Sequence, residues 1–320
     1  MLNLSIIICF AYDVAKRSNK IILDFERYCN EFSRDTYHWL CYRESTVHAI
    51  GMSFLAAQKL GGVTETVRKT AVMKAIIEMR KMGYAAESIH LGAYIMDKCL
   101  DSFHVACQAL PDVCAVSMVL GTKIEEYESL RPGTLNGLAG ASRNKKRLCH
   151  IEKRIIHELA SGLCFPTPLV LANFMLAHLH SNEEQARFVH YLLDLAVLES
   201  RFRDEAGARL AHAAVCISAA VVDDNKVRNS ECRALVEAEH RLSNFTQMLC
   251  GSTRDVMREL IIEMEKAVDE KNAVLVEYLA EDSRRVCYSE VSPALWNFIF
   301  KDSHIRIHND KESESILQIA

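Results

Sequence analysis

The chain has 320 residues, half of them hydrophobic, and a formal net charge of −4 with both signs spread along it. That length is natural for two compact units, and the mixed surface lacks the clustered basic face that nucleic-acid binding needs. The twelve cysteines contain no C-x-x-C pair, the 13 histidines do not cluster with them and no H-E-x-x-H occurs, so no metal or other cofactor is expected.

Glycine (12) and proline (5) are scarce. Apolar residues recur at three- and four-residue spacing and strict alternation is absent, which predicts an all-α fold. Leu2 to Tyr12 is apolar but lacks a positive flank and is too short to span a bilayer, so a buried segment is expected there. A helix is expected over 32–44, with Phe32, Trp39 and Leu40 on one side, then one over 46–60 ended by Gly61-Gly62. Thr64 is placed to cap a helix running to about Met82. Helices follow near 86–101, 110–128 and 145–160, with one short helix in 131–143. The basic run Arg143 to Arg147 reads as a solvated helix start, and Cys107 and Cys114 as small core residues of one helical face. Pro166 and Pro168 mark a break. Beyond it come helices near 168–180, 183–199, 205–222, 230–250 and 253–280, then a polar tail from Lys301.

The two halves echo each other. Leu110, Val113, Cys114 and Ser117 recur one hundred residues later as Leu210, Ala213, Ala214 and Ile217, each set on one helical stripe. The amphipathic helix Ser88 to Asp97 before the first stripe has a counterpart in Arg187 to Leu198 before the second. A repeat of about 100 residues with five helices each is the reading.

Catalytic chemistry finds little support. His157-Glu158, His178 with His180, and Asp223-Asp224 lack the spacing a reaction needs, and no phosphate-cradling glycine loop or nucleophile elbow occurs. Lys123, closing the small-residue helix, reads on its own as a favourable helix C-terminal charge. Glu152, 29 residues later, reads as a surface acid.

Taken together these residues resemble the cyclin box. Leu120-Gly121-Thr122-Lys123-Ile124-Glu125-Glu126 looks like the A-S-K-[YF]-E-E end of a central helix in A- and B-type cyclins. Glu152, followed by Ile155 and Ile156, holds the family's next glutamate, and Pro166-Thr167 its P-T turn into a second repeat. Upstream, Ile89 to Leu100 resembles the family's L-x-L-A-V-x-x-[IL]-D-R-[FY]-L, and Arg68 takes the place of an arginine in M-R-A-I-L. These markers share one register from Val67 to Pro168. The second half agrees mainly in pattern, its best piece being Arg285 to Ser292.

The resemblance implies two tandem five-helix repeats behind an N-terminal helical extension. The boundaries expected are 1–63 for the extension, 64–165 and 166–300 for the repeats, and 301–320 for the tail. It implies a non-catalytic subunit that pairs with a cyclin-dependent protein kinase in cell-cycle control, in nucleus and cytoplasm, with no nucleic acid, membrane or small-molecule ligand. Lys123, Glu152, Ile156, Leu163 and Glu126 would meet the kinase, and Arg68 and Asp97 would form a structural pair. The family's groove for R-x-L peptides falls at Val67, Ala71, Lys74 and Leu110, with Ile77 and Pro111 nearby. Lys74 stands where an aromatic wall is usual, which argues against such docking, and Ser161 replaces a usual phenylalanine at the kinase contact. A transcription-type cyclin or another cyclin-fold scaffold is the alternative.

Overall fold

A computed structural model describes residues 28, 32–47, 58, 62–126, 138, 144–222, 230–270 and 292–300. The expected apolar segment 2–12, most of the helix over 46–60, the short helix in 131–143, Asp223-Asp224, residues 285–291 and the tail from 301 lie outside them.

The all-α expectation holds. Helices span α1 (Ser33–Val47), α2 (Glu65–Lys81), α3 (Ala86–Ser102), α4 (Leu110–Glu125), α5 (Lys145–Leu159), α6 (Pro168–Leu179), α7 (Glu183–Leu198), α8 (Gly207–Val221), α9 (Ser230–Thr246), α10 (Arg254–Asp269) and α11 (Pro293–Phe300). The strand-like pairing among the described residues is one isolated bridge, Gly62 to Ala106.

Local chemistry sets the helix ends. Thr64 caps α2 by accepting from the Val67 amide. Pro168 opens α6 as its first residue, where its missing amide hydrogen costs nothing, and Thr167 is the cap. Asn182 and Gln185 form a reciprocal capping box on α7. The expected helix over 253–280 ends at Asp269, and that over 230–250 at Thr246, where Gln247 turns to φ 61°.

Two bundles result. In the first, α4 is the buried axis, packed by α2, α3 and α5; in the second, α8 is the axis, packed by α6, α7, α9 and α10. Every residue of the two stripes read from the sequence is buried. The smallness of those stripes has a direct use where α3 crosses α4. A methyl on Gly121 would sit 2.9 Å from the Gly92 backbone nitrogen, and one on Gly92 would sit 2.9 Å from the Met118 Cα. Only hydrogen fits there.

The bundles meet where α7 packs on α2 and α3, and this contact is rich in polar groups. Arg68, 1% exposed, binds both Asp97 oxygens at 2.6 Å, and also donates to the carbonyls of Val197 (2.9 Å) and Leu198 (3.0 Å) at the end of α7. Asp194 accepts from Arg80 and lies 2.8 Å from His90 Nε2. Arg203 donates to Asp101 and Lys69 to Glu199, each at 2.5 Å.

Two expectations are corrected. On α1 the side facing the protein is Tyr37, Leu40, Cys41 and Glu44, while Phe32 and Trp39 are 63% and 46% exposed. The helix is fastened by a polar group: Glu44 accepts from the amides of Gly207 and Ala208 and so caps α8 from outside. Cys107 does not share a helix with Cys114. It sits in a tight turn (Cys107–Ala109) and donates to the Gly62 carbonyl, whereas Cys114 is buried in α4.

Candidate partner-binding site

Lys123 lies in the last turn of α4, where the helix dipole favours a cation. Glu152 lies in α5, which packs beside α4. The two side chains converge, and Lys123 Nζ donates to Glu152 Oε1. They remain open to solvent, 45% and 24% exposed. Ile156, one turn further along α5, is 45% exposed, which is unusual for an isoleucine and leaves an apolar spot beside the pair. Leu163 is half-buried against the core. Cation, anion and apolar contact thus lie on neighbouring turns of a rigid two-helix platform, able to donate to and accept from the backbone or polar groups of an approaching helix.

Glu126 does not belong to that surface. It is buried, and its Oε1 accepts from the Ala85 amide (3.1 Å) and the Ser88 hydroxyl (2.8 Å), so it closes the N-terminus of α3. The reason is geometric: α4 ends at Glu125, and Glu126, in extended conformation, turns inward. Ser161 sits in a short turn (Ala160–Gly162) directly after α5.

Arg68 and Asp97 are brought together, but their reach exceeds the first bundle, since the guanidinium also holds the end of α7. Burial works against the charged guanidinium, yet Asp97, with Glu199 and Asp101 behind it, outweighs that cost and raises its pKa. At the groove expected on α2, Val67 and Lys74 are exposed, Ala71 and Leu110 are buried and Ile77 is half-buried. Lys74 therefore stands on the open face of α2.

Sequence reasoning passed over Glu44, Asn173, His190 and Asp194. Their signal was polarity inside otherwise apolar helices, as in Tyr191-Leu192-Leu193-Asp194-Leu195-Ala196. Among the described residues no group of three histidine, cysteine or carboxylate side chains is placed to hold a metal ion, and no helix is long and apolar enough to cross a membrane.

Comparison with known proteins agrees with this architecture. Residues 37–164 match the family model "Cyclin, N-terminal domain". G2/mitotic-specific cyclin-B2 of Rana japonica is 23% identical over 194 residues, covering 61% of this chain and 48% of that protein. Its counterpart in Oryzias latipes is 22% identical over 200 residues, covering 62% and 51%. The chain thus spans about half the length of these curated relatives. The X-ray structure of a viral cyclin from herpesvirus saimiri superposes with a TM-score of 0.61 at 14% identity, over 72% of this chain and 97% of that one, which shows a shared fold. A matched cyclin N-terminal domain over 37–164, B-type relatives at 22–23% identity over about three fifths of the chain and two helical bundles around buried axes together support a cyclin-box family for this chain.

Proposed function

We propose that this chain is a non-catalytic regulatory subunit that binds and activates a cyclin-dependent serine/threonine protein kinase, in cell-cycle control, acting in nucleus and cytoplasm. The observation that carries this reading is the convergence of Lys123 and Glu152 beside the exposed Ile156. The mechanism is differential binding. A surface that fits the kinase helix only in its inward position lowers the free energy of the active conformation, in which the β3 lysine and αC glutamate pair, without touching substrate atoms. Desolvated charged contacts at such a centre concentrate the binding energy. Leu163 would extend the contact, and the boundaries 64–165 and 166–300 would be those of the two repeats.

The test is capture of cellular kinases on immobilised wild-type chain, with mass identification, beside Lys123→Ala and Glu152→Ala. Each substitution leaves its former partner unpaired and is expected to weaken kinase binding about tenfold or more, with the melting temperature little changed. Unchanged capture by both variants, or phosphoryl transfer by kinase-free protein, would overturn the proposal.

A further inference from the structure

We propose that the outward strip of α5, formed by Lys146, His150, Lys153 and His157, receives an acidic segment of the partner kinase. This rests on the kinase-binding reading above and adds the chemistry of what is bound.

The helix carries five lysines and arginines against two glutamates, in a chain whose net charge is −4. Most of the opposite and flanking charges are already used. Arg147 pairs with Asp112 at 2.7 Å, Arg154 lies over the Phe103 ring at 4.1 Å, and Glu152 is held by Lys123. Lys145, Lys146 and Lys153 are exposed and make no ion pair with any described residue. The four strip residues are spaced i, i+4, i+7 and i+11, so they fall within about 60° of arc and extend about 16 Å along the axis. No acid interrupts them.

The placement also runs against the helix itself. Lys145, Lys146 and Arg147 occupy the first turn, where the dipole is positive and anions are favoured, and no acidic residue stands there. An arriving carboxylate would relieve both the mutual repulsion and the unfavourable dipole. Continuity points to the kinase as its source. Ile156 lies on the helix between the strip and the Lys123–Glu152 pair, so a partner that covers it comes alongside Lys153. A nucleic acid fits less well, because the positive area is one helix face wide on an acidic chain.

The test uses the kinase that the wild-type chain captures, purified, and measures its association rate at low and high ionic strength. Lys146→Glu combined with Lys153→Glu is expected to slow association about tenfold at low salt, with the gap closing at high salt and dissociation little changed. Lys266→Glu on α10 is the control and is expected to match wild type. Equal rates for the double variant, or an equal slowing by Lys266→Glu, would overturn the strip while leaving kinase binding intact. Loss of oligonucleotide binding, rather than of kinase association, in the double variant would also overturn it. If Lys123→Ala and Glu152→Ala fail to weaken capture, the underlying reading falls first and separately.

Discussion

Arg68 shows how one side chain can serve two bundles. Its fork is filled by Asp97 on one side and by the Val197 and Leu198 carbonyls on the other, with almost no access to water. Removing it leaves the half-buried Asp97 with the longer Arg203 contact at 3.8 Å and two carbonyls without their donor, so Arg68→Ala is expected to cost about 3 kcal/mol in chemical unfolding. Arg68→Lys should recover little of that, since a point charge cannot replace a fork. His190 makes a pH-dependent contribution. Burial is the main cause that pushes its pKa down from 6.5 to about 4, with nearby charges partly cancelling, and its Nε2 faces Asn173 Oδ1 at 3.2 Å. The folded pKa lies below the unfolded one. Between pH 6.5 and pH 4 the unfolded chain therefore binds a proton that the folded chain refuses, and stability falls on acidification by up to about 3 kcal/mol. Buried His212 is pushed down to about 4 in the same way, so His190→Asn should lessen but not abolish the fall of melting temperature with pH across that window; parallel curves for variant and wild type would exclude the effect.

Between elements, close approach and capping decide most. The α3–α4 crossing depends on Gly92 and Gly121, each lying against the other helix's backbone. Gly121→Ala forces a methyl into backbone that cannot yield as a side chain could, at about 1–3 kcal/mol, read as a lowered melting temperature. The docking of α1 depends on Glu44, which supplies to α8 the cap that Ala206 at its start cannot. Burial, the larger influence, raises the Glu44 pKa, and the two amides act against it. Glu44→Ala is expected to cost about 1–2 kcal/mol and to speed amide hydrogen exchange in α1 more than in α4. Equal protection of α1 in both proteins would refute that fastening.

At the scale of the whole molecule, the bundles are joined by Arg68, Lys69, Arg80, His90, Asp101 and their partners rather than by apolar contact alone. Their separation would leave several buried charges unpaired together. A single calorimetric transition is therefore expected, and two resolved transitions would show the bundles to be independent. The sequence alone determined the helical class, the break at Pro166 to Pro168, the cap at Thr64 and the paired small-residue stripes. These follow from spacing within one segment, which local physics governs. It also marked Lys123 and Glu152, through a shared register with a known family. What only the tertiary structure decided is which polar groups meet across segments. Glu126 shares the string Lys123-Ile124-Glu125-Glu126, yet one residue past the helix end it turns inward to α3, and no local pattern encodes that reversal. Phe32 and Trp39 likewise share one side of α1 with Leu40, yet the side that Tyr37, Cys41 and Glu44 turn to the protein leaves both exposed. Periodicity reports that a helix has a face; the partner across the gap chooses which face is buried.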